Sequence, residues 1–113
     1  MQSVSSNAVA SALAYSEYED TTNGITLCKW GRVVWVALRL RVNNANSPYV
    51  ISGGIPSQYS PPTQEARTVF FNNSSDVPIG QAIIRSTGDI YLYLGNGGSF
   101  GTMDCIADWN YIV

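Results

Sequence analysis

The sequence predicts an all-β domain, an antiparallel sandwich or jelly-roll-like head preceded by one short helix. Three observations carry this. From Gly24 onward the apolar residues recur with a period of two, the spacing of a half-buried strand. Turn-forming residues interrupt that pattern about every ten residues, as in sandwiches and barrels. Charged residues make up only 12% of the chain, and polarity comes instead from 13 Ser, 7 Thr and 9 Asn. With 113 residues, 45% of them apolar, the chain has the size of one domain and enough material for one core.

The elements follow in order. In residues 3–14, Val4, Ala8, Ala12 and Tyr15 share a stripe at helical spacing, flanked by Val9 and Leu13, and Ser3 or Ser5 can cap the start. Such a short, Ala-rich helix is marginal alone and suits close approach to other helices, within its own domain or in a parallel bundle. Glu17, Glu19 and Asp20 with Thr21–Gly24 read as a hinge, so residues 1–21 form a neck and 22–113 a head. Ile25–Trp30 is a strand that ends at Gly31. Arg32–Val42 is the strongest strand, with Val34, Val36, Leu38, Leu40 and Val42 on a core face. Its second face carries Val33, Trp35 and Ala37, which calls for cover by another layer or another subunit. Asn43–Pro48 is a loop by composition, Tyr49–Ile51 a brief strand and 52–63 an irregular segment rich in Gly and Pro. Ala66–Phe71 is a strand followed by a turn at Asn72–Asp76. Gln81–Arg85 and Asp89–Leu94 form a hairpin about Ser86-Thr87-Gly88, Gly95–Gly101 a glycine-rich loop and Cys105–Val113 the last strand. Ile84, Ile90, Leu92 and Leu94 join the predicted core.

Several function classes are disfavoured. A net charge of −2 leaves no basic patch for nucleic acid. No apolar run approaches the ~18 residues that span a bilayer, and no signal peptide is evident, so production in the cytoplasm is expected. The chain lacks histidine, which removes the usual general base and the commonest metal ligand. The acidic group at 17–20 lacks the spacing of a calcium loop, and no metal or cofactor is expected. Cys28 and Cys105 lie too far apart for a zinc or redox motif, and are expected as reduced, at least partly buried thiols. Glu65, Asp76, Asp89, Asp104 and Asp108 are the candidates for paired-carboxylate hydrolysis. Only Asp104 and Asp108 form a close pair, and simpler turn or surface roles outweigh catalysis, so no catalytic residue is assigned.

Five segments, taken in order, resemble the C-terminal heads of phage and prophage tail fibres and receptor-binding proteins. They are Ser3–Leu13, Lys29-Trp30-Gly31-Arg32-Val33-Val34, Ile51–Pro56 with Tyr59 and Pro61, Ala82–Tyr91 with its central Gly88, and Trp109–Val113. The resemblance covers nearly the whole chain. It departs from the pattern at Ile55, at Ser60 and in the long Asn-rich loops. It implies a homotrimeric β head that binds a host surface saccharide or protein without enzymatic activity. It also implies attachment to the rest of the tail fibre in the virion, this chain being a distal fragment or a separately encoded tip. A purely structural trimerisation module and a glycan-degrading tip are the alternatives.

Recognition is expected in loops remote from the helix, namely Asn43–Ser47, Asn72–Asp76 and Gly95–Ser99. The candidate ligand-binding residues are Asn44, Asn73, Asp76 and Asn96, with Tyr91 and Tyr93 available to stack on a sugar ring. For each ring, burial in a core or a subunit contact is the simpler role.

Overall fold

A computed structural model describes residues 14–73, 77–95 and 97–113, with Asn44 described in its main chain only. The helix expected over residues 3–14 therefore lies, but for Ala14, outside the described residues. Among the described residues the strands are β1 (Tyr15–Asp20), β2 (Ile25–Trp30), β3 (Val33–Asn46), β4 (Tyr49–Ile51), β5 (Glu65–Asn72), β6 (Ile79–Ile84), β7 (Ile90–Leu94) and β8 (Ser99–Ile112), with a 3-10 turn at Ser57–Tyr59. All pairings are antiparallel. No helix among the described residues is long and apolar enough to cross a membrane.

The strands form one sheet in the order β1-β2-β3-β8-β5-β6-β7-β4. This single curled sheet replaces the expected sandwich or jelly roll, and β5 is the reason. Glu65–Phe70 pairs with β6, whereas Phe71 and Asn72 pair with Cys105 and Asp104 of β8. One strand thus joins both halves edge to edge. The sheet curls until the inner sides of both halves share one core, which includes Ile25, Leu27, Val34, Val36, Leu38, Phe71, Ile84, Ile90, Leu92 and Phe100. Leu94 belongs to it as well, while Leu40 is half-buried and packs against it.

Three segments differ from their sequence readings. Tyr15, expected on the helical stripe, and Glu17–Asp20, expected as the start of a hinge, lie in strand β1, paired with β2 from Tyr15↔Trp30 to Asp20↔Ile25. Asp20 organises the turn that follows, accepting from the main-chain N–H groups of Thr22 and Asn23 at 3.1 Å each and from the Asn23 amide at 2.8 Å. Asn43–Asn46, expected as loop, prolongs β3 because β8 runs alongside, with register shifts around Ala45. The glycine-rich loop is shorter than expected, since β8 starts at Ser99.

The irregular segment 52–63 closes the curl from inside. Ile55, Tyr59 and Pro61 are buried, the Tyr111 hydroxyl donates to the Tyr59 carbonyl at 2.6 Å, and Lys29 Nζ donates to the Gln58 carbonyl at 2.8 Å. Gly80 in β6 has no room for a side chain. A Cβ there would strike the Tyr93 carbonyl and the Phe71 ring, and the carbonyl belongs to paired backbone that cannot yield. Gly80→Ala is expected to destabilise by about 1–3 kcal/mol, the range of overpacked cores. Denaturant unfolding of the variant checks this.

Cys28 and Cys105 are free thiols. They sit on opposite faces, Cys28 opposite Trp35 on the outer side and Cys105 opposite Leu40 on the inner side, with β3 between them. No disulfide can join them without dismantling the sheet. Burial pushes the Cys105 thiol up to about 11. Denaturing alkylation is expected to modify two thiols, and in the native protein at pH 8 Cys105 is expected to resist modification.

Candidate functional site

The long β3–β8 pair gives the sheet two distinct ends. At the root end Ala14 leads into β1, and its carbonyl accepts from Gly31 N–H at 3.0 Å. The β2–β3 turn and the chain end meet there too, Val113 N–H donating to Arg32 O at 2.9 Å. At the tip end Asn46 pairs with Ser99, and Ser47 N–H donates to Gly98 O at 2.7 Å. The Ser47 hydroxyl accepts from Leu94 N–H at 3.0 Å, which ties β7 to the same end. At ~3.3 Å per residue, root and tip lie about 40 Å apart along β3.

Residues on the outer face sort by height. Across β1, β2, β3 and β8 the root row is Tyr15, Trp30, Val33 and Ile112, followed by Glu17, Cys28, Trp35 and Asn110, then Glu19, Thr26, Ala37 and Asp108. Nearer the tip come Arg39 with Ile106, Arg41 with Asp104, and Asn43 with Thr102. The root row is apolar throughout, and the rows above it mix charged and polar groups with Ile106, which is exposed opposite Arg39.

An open depression lies in the tip half. It has a volume of about 410 Å³ and is lined by Arg41, Asn72, Asn73, Thr102 and Asp104. Arg41 and Asp104 form a fork, Nε to Oδ1 at 2.8 Å and Nη2 to Oδ2 at 3.2 Å. The guanidinium holds the Asp104 carboxyl below its usual range, and the carboxylate raises the arginine in turn. Register places Asp104 between Arg41 on one side and Asn72 on the other. Amide, hydroxyl, guanidinium and carboxylate groups thus meet in one open hollow, offering donors and acceptors side by side.

Of the residues expected at the site, Asn73 lines this hollow. The main chain of Asn44 lies in β3, between the Asn43↔Thr102 and Ala45↔Gly101 pairs. Asp76 and Asn96 lie outside the described residues. Tyr91 and Tyr93 do not reach the hollow. They stack on the outer face of β7, with centroids 6.3 Å apart and planes 15° apart, and Arg85 sits over Tyr91 at 4.3 Å. Strand β6 separates them from β5, so Tyr93 neighbours Gln81, which neighbours Thr68. Phe70 and Ile79, exposed and paired across β5 and β6, continue this apolar strip.

Sequence reasoning missed Arg41 as a partner of Asp104, because the two are 63 positions apart. Phe70 was readable. In Val69-Phe70-Phe71, strict alternation puts the two rings on opposite faces. The proposed carboxylate pair is held in separate contacts, Asp104 by Arg41 and Asp108 by the Trp35 indole N–H at 3.1 Å.

Three half-buried carboxylates have lowered pKa values for local reasons. Asp20 is held by the Asn23 side chain and by the main chain of Asn23 and Thr22, Asp89 by Gly53 N–H and the Thr87 hydroxyl, and Asp104 by Arg41. A depressed folded-state pKa stabilises above the unfolded value and is lost as pH falls through the folded one. The thermal midpoint is therefore expected to change little from pH 7 to 5 and to fall below about pH 4, the unfolded Asp value. A pH series of thermal melts checks this.

No protein-family model matches the chain, and no curated protein matches it.

Proposed function

We propose that this chain is the non-enzymatic receptor-binding head of a phage tail fibre, a homotrimer that engages a host surface saccharide. The observation that carries the reading is the polarity of the sheet. The chain enters at Ala14, at the root, and the hollow formed by Arg41, Asn72, Asn73, Thr102 and Asp104 opens in the opposite half. In a fibre the entering segment points to the virion and the far end meets the host. On this reading the chain is assembled in the bacterial cytoplasm and carried on the virion tail.

The chemistry of the hollow suits a saccharide. Asn72, Asn73 and Thr102 exchange hydrogen bonds with hydroxyls, and the Arg41–Asp104 fork presents both signs of charge. The Tyr91–Tyr93 stack and the Phe70–Ile79 pair offer apolar surface for a chain of sugars that extends across β5–β7. Each direct hydrogen bond adds about 0.5–1.5 kcal/mol net, so a single site is weak, and three sites per trimer gain strength through avidity.

The experiment is adsorption of the purified protein to intact cells of candidate hosts and to their envelope saccharides. Asn73→Ala and Arg41→Ala are each expected to weaken adsorption by about tenfold or more through loss of paired polar contacts. Asn44→Ala, Asp76→Ala and Asn96→Ala test the other residues that the sequence proposes for the site. Parent-like adsorption by every folded variant would place the site elsewhere. Failure of the parent to adsorb to any host would favour a structural module, and release of saccharide fragments would reveal a glycan-degrading enzyme.

A further inference from the structure

We infer that copies of this chain pack against one another through the root of the outer face, by a row of four side chains on four adjacent strands. Tyr15, Trp30, Val33 and Ile112 are opposed in register across β1, β2, β3 and β8. Each is a large apolar group left 50%, 45%, 39% and 56% exposed in the single chain. Tyr15 and Trp30 are already in ring contact, with centroids 5.0 Å apart, so the row is a formed ridge. Scattered exposed apolar residues need no explanation, but a contiguous band across four strands marks a contact surface. Trp35 in the next row is half-buried, with its indole N–H satisfied by Asp108 at 3.1 Å, and Ala37 beyond it is already buried.

The occupant is a second copy of the chain, and charge complementarity argues for it. On the same face, the edge strand β1 presents Glu17 and Glu19, while β3, two strands away, presents Arg39. Arg39 is exposed and donates to the main-chain carbonyls of Leu38 and Ala107. The rows of Glu19 and Arg39 are one pleat repeat apart in height. A head-to-tail ring sets the acidic β1 edge of one copy against the basic β3 of the next. This is a heterologous contact, and a rotation of one third of a turn between copies closes it into a trimer. A two-fold contact would use the same patches twice and give a dimer, so the assembled mass separates the two arrangements. The carboxylates along β1 also oppose pairing of that edge with an identical edge.

This inference rests on the trimer reading above and assigns its surface. The test compares the full chain with Val33→Ser/Ile112→Ser by light scattering at micromolar concentration, with circular dichroism and unfolding as the check on folding. Both side chains are exposed, so the variant is expected to keep the parent's β spectrum. The parent is expected to have three times the 12.3 kDa chain mass and the variant one chain mass. Phe70→Ser/Ile79→Ser, which changes the other exposed apolar pair, is expected to retain the parent's mass. Arg39→Glu is expected to weaken self-association by about tenfold or more by setting like charges together, and Glu19→Arg in the same chain to restore it. A parent of one chain mass would overturn the surface together with the trimer. A trimeric parent with an unchanged Val33→Ser/Ile112→Ser variant would overturn the surface alone, as would loss of the trimer in the Phe70/Ile79 variant. Failure of Glu19→Arg to restore association would overturn the head-to-tail arrangement.

Discussion

Phe71→Ala is expected to lower the unfolding free energy by about 3–5 kcal/mol, the range for a buried aromatic. That is a large part of the ~5–15 kcal/mol that holds a typical domain together. The ring is fully buried, meets Phe100 edge to face at 5.1 Å, and lies against the backbone of Gly80. It also sits where β5 crosses from its pairing with β6 to its pairing with β8. A cavity there loosens the joint between the two halves of the sheet. The neighbouring Phe70→Ala removes the same atoms from the opposite, exposed face, and is expected to change stability by less than about 0.5 kcal/mol. Urea melts of the pair measure the facing of β5. Equal losses, or a larger loss at Phe70, would contradict the strand's register, since a slip of one residue exchanges the two faces.

Leu38→Ala is expected to cost about 2–5 kcal/mol. Leu38 is fully buried on β3, opposite Ile25 on one side and Ala107 on the other. Leu40 has the same orientation but is only half-buried, because β2 ends at Ile25 and no strand on that side reaches its height. Leu40→Ala is expected to cost distinctly less than Leu38→Ala. An unchanged midpoint for Leu38→Ala would show that the facing of β3 is wrong.

Local pattern announced the strands of this fold, while their pairing depended on contacts distant in sequence. The alternation through Val34–Val42 and Ile90–Leu94 named the inward side chains of β3 and β7, because period two survives wherever one face is buried. The expected two-sheet sandwich failed at β5. Nothing within Glu65–Asn72 shows that six residues bond to β6 and two to β8. Strand β1 was obscured by its charges. Tyr-Ser-Glu-Tyr-Glu-Asp has the composition of a linker, but an edge strand tolerates carboxylates that a central strand would not. Asn43–Asn46 was obscured by amides that favour loops, and its long partner β8 overrides that preference.

The site was legible in part for the same reason. Asn73 stands in an Asn-rich segment of the sequence, and it lines the hollow in the tip half of the sheet. Arg41 and Asp104 read singly as surface charges and become a fork only when β3 and β8 pair. Tyr91 and Tyr93 were correctly placed on one face of their strand, but the strand order sets β6 between them and the hollow.

The central claim is that the tip half of the sheet recognises a host saccharide. Amide chemical-shift mapping of the full chain during titration with envelope saccharide fragments from a host that the protein adsorbs to tests it most directly. The account predicts progressive shifts at Arg41, Asn72, Asn73, Thr102 and Asp104, extending to Thr68 and Gln81 for longer fragments, with Tyr15, Trp30, Val33 and Ile112 unmoved. Shifts confined to the root row, or no shifts at saturating saccharide, would contradict it.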